Sequence, residues 1–308
     1  MKISVIIPTF NRSRTLVDYT LSRFLEQDFD KTQYEIIIID DGSTDATLHH
    51  LSEFKERNGL LKISVLTQAN MGPATARNRG LLQAQGDYVL FIGDDTYPKD
   101  LNFLTKRIAL HASFNDSSIA ILGHTSWDVD CLNDFMRWID RCGIQFQYGE
   151  LLPDSIVSFR YGYTCNLSFH RKWLLASRVL FDERFRRAAG EDIEFCYRLS
   201  QKHGMKIYYS KSLELIHHHV YHADEYLRRN RHYALGKKQM ESINPTCFAE
   251  VSNTNILKAK IKLAIGALLN RLPPQQCLEV LMSMPRSIAR LLHYSLIEFE
   301  VRKCAFDK

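Results

Sequence analysis

The sequence predicts an α/β fold in which helices flank a mixed, mostly parallel sheet, followed by a C-terminal helical extension. Over the first 110 residues, short runs of β-branched residues alternate with longer amphipathic stretches, and this alternation is typical of βαβ units. Four consecutive isoleucines, Ile36 to Ile39, suit a central strand that is buried on both faces. Polar residues follow three of the strands directly, at the sheet edge where such folds bind ligands.

The predicted elements follow the chain in order. Up to residue 110, four apolar runs predict strands, and three amphipathic stretches predict the helices between them. After residue 110 the pattern is less regular, and prolines at Asn244-Pro245 and Pro273-Pro274 break the helical segments. The predicted strands are 3–7, 35–39, 62–66, 87–92, 118–123, 163–169, 206–209 and 213–219, and the predicted helices are 12–27, 44–57, 73–85, 190–202, 224–240, 255–272 and 275–301.

The composition excludes several classes of protein. Hydrophobic residues make up 45% of the 308 residues and charged residues 24%, which is an ordinary globular balance and excludes a mainly disordered chain. Apolar runs are too short and too often interrupted by charge to predict a membrane-spanning helix, and the N-terminus carries no signal-peptide pattern. The seven cysteines lack CxxC spacing, which argues against a zinc knuckle or a disulfide framework and is typical of a reducing compartment. We therefore expect a cytoplasmic protein.

The net charge of +5 is confined to one end of the chain. Residues 251–308 contain nine lysines and arginines against four acidic residues, whereas the rest contains 31 of each. A nucleic-acid binder needs a basic face on its folded domain, so we exclude that class. We divide the chain into a main domain over 1–240 and a basic amphipathic extension over 241–308. A basic amphipathic helix can lie at the inner face of a membrane; packing on the main domain or on a second subunit stays open.

Acidic pairs follow two of the predicted strands. Asp94 and Asp95 repel each other unless a cation lies near them, and hard oxygen ligands favour Mg²⁺ or Mn²⁺. Asp40-Asp41 repeats the pattern one strand earlier. The alternatives are a solvated loop for the first pair and an Asx-turn that opens a helix for the second.

Three further groups are candidates for chemistry. Arg77 lies one turn into a helix that opens with Gly-Pro, where it could reach a phosphate, although it could equally be a surface arginine. Glu191-Asp192 occupies the first turn of a helix, where it either caps the helix or supplies a general base that the helix N-terminus keeps ionised. His217 and His219 share one face of a strand and could complete a metal site, while His218 points away; a solvated histidine patch is the alternative.

Taken in order, these residues resemble the inverting nucleotide-sugar glycosyltransferases of family 2, which have the GT-A fold. The resemblance covers roughly residues 1–240 and rests on six ordered motifs. They are Val5-Ile6-Ile7-Pro8-Thr9-Phe10-Asn11-Arg12; Glu35 with Asp40-Asp41-Gly42-Ser43-Thr44-Asp45; Asn70-Met71-Gly72-Pro73 with Ala76-Arg77-Asn78; Gly86-Asp87-Tyr88 with Gly93-Asp94-Asp95 and Pro98; Phe181-Asp182-Glu183 with Glu191-Asp192 and Arg198-Leu199; and His217.

The resemblance implies roles for these residues. A nucleotide, with uridine as the family-level expectation, would lie among the first two loops, and a divalent cation, Mn²⁺ or Mg²⁺, would bridge its diphosphate. One departure is Gly93, where the family usually has a carboxylate. The implied donor-binding residues are Pro8, Thr9, Asn11, Arg12, Asp41, Arg77 and Asp94, with Asn166 lining the pocket near the acceptor; the implied metal ligands are Asp95, Asp94, His217 and His219; the implied catalytic residues are Asp192 and Glu191.

The expected activity is therefore transfer of a sugar from a nucleotide-diphosphate donor to a hydroxyl of a glycan or lipid-linked glycan. Three alternatives remain. A nucleotide-sugar binding module without activity would fit the Gly93 departure. A sugar nucleotidyltransferase would need a Gly-rich basic loop after the first strand, where this chain has Pro8-Thr9-Phe10-Asn11. An interaction protein built around the helical tail would leave the six motifs without explanation.

Overall fold

The computed structural model describes residues 1–247 and 264–306, and the chain forms two compact units. The first unit comprises Met1–Val129, Glu150–Arg186 and Glu191–His219; the second comprises Asp130–Gly149, Arg187–Gly190 and Val220–Lys308. The division at residue 240 stays a prediction, because compactness in space does not by itself show where an independently folding domain ends.

The first unit is built on a nine-stranded sheet. The strand order is β3-β2-β1-β4-β8-β6-β9-β5, with β7 paired to β9. The first four strands are parallel, and β8 runs antiparallel between β4 and β6, so the predicted mixed sheet is confirmed. The strands are β1 Ile3–Thr9, β2 Tyr34–Asp40, β3 Lys62–Thr67, β4 Tyr88–Ile92, β5 Thr96–Pro98, β6 Ile119–Trp127, β7 Ser155–Val157, β8 Asn166–His170 and β9 Lys206–His217.

Helices cover the sheet and make up most of the second unit. A π-helical segment, Thr15–Leu21, occupies part of the predicted helix 12–27 and leads into α1. The isoleucines of β2 are all at most 1% exposed, which confirms a central strand buried on both faces. The helices are α1 Ser22–Leu25, α2 Thr47–Arg57, α3 Pro73–Gln83, α4 Phe103–Ala112, α5 Asp134–Cys142, α6 Arg171–Ala176, α7 Glu191–His203, α8 Ala223–Ile243, α9 264–269, α10 Pro274–Ser283 and α11 Arg286–Phe306.

Two predicted boundaries are wrong. The strands predicted at 206–209 and 213–219 are one strand, β9, because a bulge absorbs the polar residues between them: Gly123 pairs with Ser210, but the next residue of β6, His124, pairs with Glu214. The helix predicted over 275–301 is two helices, because Pro285 restricts Met284, the residue before it, to the extended conformation that ends α10.

The second unit has an aromatic core of its own. The ring of Phe135 on α5 meets the ring of Tyr226 on α8 edge-on, with centroids 5.3 Å apart. The Tyr226 hydroxyl is hydrogen-bonded to Nδ1 of His293 on α11. Half of the predicted helix 255–272, residues 255–263, lies outside the described residues, and α9 occupies part of the other half. In the part of the chain that the structure describes, none of the helices combines the length and apolar character needed to cross a membrane.

Candidate active site

The candidate site lies in the first unit, at the edge where β1, β2 and β4 end. In the parallel pairing of β1 and β2, Thr9 lies opposite Asp40, and the Thr9 carbonyl accepts a hydrogen bond from the Asp41 N–H at 2.9 Å. The Thr9 hydroxyl donates to Oδ2 of Asp94, just after β4, at 2.8 Å. The predicted convergence of these acidic strand ends is therefore present in the fold.

Asn11 joins the loops that follow β1 and β2. Its backbone has a φ of +53°, a left-handed conformation that asparagine tolerates better than most residues. Its Oδ1 accepts a hydrogen bond from the Thr44 N–H, and its own N–H donates to the Ser43 hydroxyl, both at 2.8 Å. Pro8 precedes these hydrogen-bonded residues and is partly exposed, as a residue that contacts a ligand has to be.

Asp41 holds the loop that precedes α3. Its carboxylate accepts hydrogen bonds from the Gln68 side chain at 2.7 Å and from the backbone N–H groups of Met71 and Gly72 at 2.8 Å. Gly72 has a φ of +91°, and a Cβ there would come within 2.7 Å of the Arg186 carbonyl oxygen, so glycine is required. Gln68 was not among the predicted site residues, although it follows β3 at the same edge where acidic residues follow the neighbouring strands.

Asp95 lies among three cationic or ionisable side chains. Its Oδ2 is 3.1 Å from Nε2 of His217 and 3.9 Å from both Nδ1 of His219 and Nη2 of Arg12. Burial alone would raise the pKa of Asp95, but the charge and hydrogen bond of His217, together with Arg12 and His219, hold it well below the usual range. Asp95 is therefore ionised at neutral pH.

The histidines are arranged as the strand alternation predicts. His217 and His219 both face Asp95, with stacked rings whose centroids are 5.6 Å apart. His218 points elsewhere and places its Nδ1 2.8 Å from Oδ2 of Asp128. Carboxylates and imidazoles are the kinds of ligand that a divalent transition ion such as Mn²⁺ accepts.

Gly93 leaves space beside Asp95. A Cβ at this position would lie 2.9 Å from Oδ1 of Asp95 and 3.6 Å from atoms of Thr96. The departure from the family pattern therefore removes one carboxylate from this loop and leaves the space beside Oδ1 of Asp95 free of a side chain from position 93.

Asp94 behaves differently from its neighbour. Burial and the charge of Asp95 raise the pKa of Asp94 to about 7, against the opposing effects of Arg12 and the hydrogen bond from Thr9. The Thr20 hydroxyl, from the π-helical segment, donates to the Asp94 carbonyl oxygen at 3.0 Å. Asp94 is thus positioned by two hydrogen bonds, one from Thr9 at the end of β1 and one from Thr20 in the segment after β1.

Asp192 lies in the first turn of α7. Its Oδ1 accepts a hydrogen bond from the Ile193 N–H at 2.8 Å, and its Oδ2 accepts one from the Thr164 N–H at 3.4 Å. Burial and the charge of Glu191 nevertheless raise the pKa of Asp192 to about 7. The expectation that the helix N-terminus keeps this carboxyl ionised near neutral pH stays a prediction, and burial and Glu191 oppose the helix N–H groups here.

Arg77 and Glu191 form a buried ion pair. Nη1 of Arg77 is 2.7 Å from Oε1 of Glu191, and the side chains are 10% and 3% exposed. The ring of Phe181 lies 5.6 Å below the guanidinium carbon. The Glu191 carboxylate is therefore paired with the Arg77 guanidinium in the protein interior. It precedes Asp192 in the chain and is not exposed at the surface of the site.

Asn166 does not line a pocket. Its side chain is fully buried, and its Nδ2 donates to the carbonyl oxygens of His124 at 2.7 Å and Leu213 at 3.0 Å. Its Oδ1 accepts from the buried Arg107. The prediction for Asn166 is corrected, because all of its amide atoms hold the sheet together. Arg107 was missed, because no helix was predicted over the residues of α4.

Cys165 directly precedes Asn166 in the chain. Burial is the main cause that raises the pKa of its thiol to about 12, and the charges of Asp192 and Asp95 act in the same direction. The thiol is neutral at physiological pH, in agreement with the expectation that the cysteines are inert, and the six cysteines from Cys131 to Cys277 are free.

A family model for glycosyl transferase family 2 matches residues 4–165, which is just over half of the chain. The chain belongs to this family. The match includes Thr9, Asp41, Arg77 and the Asp94-Asp95 pair, and it ends before Asp192. The resemblance found in the sequence is thereby confirmed for the family and for the class of enzyme.

Two related proteins illustrate the similarity in sequence. The chain is 40% identical over 97 residues to the poly(ribitol-phosphate) β-N-acetylglucosaminyltransferase TarS of Staphylococcus aureus, covering 32% of this chain and 17% of TarS. It is 28% identical over 216 residues to a dolichyl N-acetyl-α-D-glucosaminyl phosphate 3-β-D-2,3-diacetamido-2,3-dideoxy-β-D-glucuronosyltransferase of Methanococcus voltae, covering 67% of this chain and 63% of the relative. The chain thus spans less than two thirds of the length of both relatives.

Solved structures show the same fold. TarS residues 1–349 with UDP align with all of this chain and 93% of that one at a TM-score of 0.56 and 20% identity. The mannosyltransferase PcManGT of Pyrobaculum calidifontis, solved with GDP-Man and Mn²⁺, aligns with all of this chain and 88% of that one at a TM-score of 0.66 and 17% identity. At this level of identity the likeness shows the fold alone, and it confirms the predicted GT-A fold.

Proposed function

We propose that this chain is an inverting glycosyltransferase that moves a sugar from a UDP-sugar to a hydroxyl of a glycan or lipid-linked glycan. The observation that carries the proposal is the Asp95 carboxylate beside His217 and His219, at the strand ends of a chain of glycosyl transferase family 2. Asp192, whose pKa is raised to about 7, is the carboxyl that we assign as the base. TarS, solved with UDP, supports the choice of donor.

The donor would lie across the strand ends. We assign the nucleotide to Pro8, Thr9, Asn11 and Asp41, whose carboxylate can accept a further hydrogen bond. Asp95, His217 and His219 would hold Mn²⁺ or Mg²⁺, with Asp94 close by; Mn²⁺ is present in the PcManGT structure. Arg12, 3.9 Å from Asp95, supplies positive charge toward the diphosphate, whereas the charge of Arg77 is balanced by its ion pair with Glu191. The cation, when bound, would offset the negative charge of the departing diphosphate.

Asp192 would act as the general base. Its ionised carboxylate accepts the proton of the acceptor hydroxyl while the hydroxyl oxygen forms a bond to the anomeric carbon. The bond from that carbon to the diphosphate oxygen breaks on the opposite face, and the nucleoside diphosphate leaves with the electron pair. A base near neutral pKa matches this task, because it is substantially ionised at pH 7 and still basic enough to take the proton.

The substitution Asp192→Asn tests the assignment. We expect kcat for UDP release in the presence of acceptor to fall at least about 100-fold, while the Kd for UDP with Mn²⁺ stays within about twofold of wild type. Asp140→Asn, at an exposed position, is the control and should change neither value. A variant with near wild-type turnover would remove Asp192 from the mechanism.

One alternative stays as a second candidate. A nucleotide-sugar binding module without transferase activity would bind UDP but release none from a UDP-sugar with Mn²⁺ present, and the Gly93 departure is the observation that favours it. Asp192 favours the enzyme, because its carboxyl, with a pKa of about 7, suits a general base, and a binding module has no need for one.

We further propose that the basic extension contacts an anionic membrane surface at the cytoplasmic face. The lysines that carry this proposal are Lys258, Lys260 and Lys262, which lie outside the described residues. A lipid-linked acceptor, such as the one named for the Methanococcus voltae relative, would be reached at such a surface.

A further inference from the structure

Positive charge is concentrated in the second unit. This unit contains 17 lysines and arginines against 11 acidic residues, whereas the first contains 23 against 24. Part of the excess lies on α8, where residues 228–238 include five basic residues and no acidic residue. The charge of this segment has no role in the proposed reaction.

Three arginines of α8 lie close together. Arg228 and Arg231 are exposed and three residues apart, so they are neighbours on the helix surface. The guanidinium of Arg229 lies 4.9 Å from the centre of the Tyr221 ring, a contact that fixes its position. His232 follows Arg228 by one turn and is partly exposed.

A fourth arginine comes from another segment of the same unit. Residues 187–190 pack directly on α8: a Cβ on Gly236 would lie 1.8 Å from the Ala189 carbonyl oxygen, and one on Gly190 would lie 2.9 Å from Cε of Met240. Since 189 meets 236 and 190 meets 240, Arg187 reaches the preceding turn of α8, which carries His232. Arg187 is exposed.

The electrostatics of His232 agree with this placement. Burial lowers the pKa of His232, and the charges of Arg187, Arg228, Arg229 and Arg231 lower it further. The charges of all four guanidiniums therefore affect the same imidazole, that of His232. We call these four residues the arginine cluster.

The composition of the cluster indicates its ligand. Guanidinium groups bind phosphate through paired, planar hydrogen bonds, and four of them on one helix turn and an adjacent segment can engage more than one phosphate of a chain. Resting on the proposed function, we propose that the arginine cluster binds the phosphodiester groups of a polymeric glycan acceptor. The acceptor polymer named for TarS, poly(ribitol-phosphate), has this chemistry.

The test measures binding of a fluorescein-labelled ribitol-phosphate octamer to the full chain by anisotropy. The variant Arg187→Gln/Arg228→Gln/Arg231→Gln removes three exposed charges. The control variant Lys55→Gln/Lys172→Gln/Lys211→Gln removes three exposed charges from the first unit. We expect the cluster variant to lose affinity at least about tenfold and to show a salt dependence shallower by about two counterions, while the control variant stays within about twofold of wild type.

Additional variants and ligands distinguish this proposal from the alternative explanations. The corresponding three-site Arg→Lys variant, which keeps the charge but loses the paired geometry, should bind with intermediate affinity. Equal binding by the cluster and control variants, or wild-type binding to phosphatidylglycerol vesicles but not to the octamer, would overturn the proposal. UDP release with a small neutral acceptor should be unchanged in the cluster variant; failure of wild type in that assay would instead count against the proposed function.

Discussion

Glu191 acts on the proposed base through its charge. Its carboxylate is paired with Arg77 at 2.7 Å and, next to burial, is the largest cause of the raised pKa of Asp192. The residue that precedes the base thereby helps to set the pH at which the base becomes ionised. The sequence predicted that both acidic residues matter, but it could not show which of them faces a cation, because the partner is 114 residues away along the chain.

A pH profile tests this relation. In the wild type, kcat/KM should rise with pH through a midpoint near 7, as Asp192 loses its proton. Glu191→Gln removes the neighbouring negative charge, which favours the ionised base, so the midpoint should move to lower pH by roughly one unit. Glu56→Gln, at an exposed position of α2, should leave the midpoint in place. A midpoint that stays fixed or rises in Glu191→Gln would contradict the account.

Gly93 offers a test of the metal site that does not depend on turnover. A Cβ in Gly93→Ala would lie 2.9 Å from Oδ1 of Asp95, so we expect Mn²⁺ affinity, measured by electron paramagnetic resonance of the free ion, to fall about fivefold or more. Gly59→Ala is the matched control, because no atom lies within 4 Å of a Cβ there. Equal affinity in the two variants would place the ion away from Asp95.

At the scale of elements, the first four strands were predicted correctly from the sequence, whereas the bulge in β9 was not. The four β-branched runs of the first 110 residues became β1 to β4, because burial on both faces imposes a continuous apolar pattern. The bulge in β9 was missed because its polar residues look the same as a loop in the sequence. The convergence of Asp41, Asp94 and Thr9 was predictable from parallel strand ends, whereas the buried Asn166–Arg107 contact depends on side-chain packing that periodicity does not report.

Helix α8 contains a glycine that its packing requires. Alanine favours a helix interior by about 1 kcal/mol over glycine, but a Cβ on Gly236 would lie 1.8 Å from the Ala189 carbonyl oxygen. Backbone displacement of this kind costs about 1–3 kcal/mol, so Gly236→Ala should lower the thermal unfolding midpoint and weaken octamer binding. Ser242→Ala, at an exposed position of the same helix, is the control. A higher midpoint in Gly236→Ala would show that segment 187–190 does not pack on α8.

At the scale of the whole molecule, the second unit is assembled from three separate segments of chain. Removing the C-terminal helices would expose the aromatic core, since Tyr226 on α8 is hydrogen-bonded to His293 on α11. A truncation near residue 250 would therefore disturb α8 as well as the basic extension. Charge substitutions separate the two effects, because they leave the helices in place.

Lysine substitutions test the membrane proposal. Each lysine near an anionic surface contributes about 1 kcal/mol, so Lys258→Gln/Lys260→Gln/Lys262→Gln should lower the affinity for phosphatidylglycerol vesicles, measured by co-sedimentation, about 100-fold. The Lys55, Lys172 and Lys211 substitutions remove the same charge elsewhere and should have little effect. Unchanged sedimentation of the first variant would mean that these lysines do not contact the membrane.

The central claim is that the acidic strand ends hold a divalent cation beside the nucleotide. Crystals of the full chain soaked with MnCl₂ and UDP test it most directly through the anomalous signal of manganese. We expect one strong peak within about 2.5 Å of a carboxylate oxygen of Asp95 and of a diphosphate oxygen of UDP. UDP bound at the ends of β1 and β2 with manganese elsewhere, or with no manganese at all, would contradict the account.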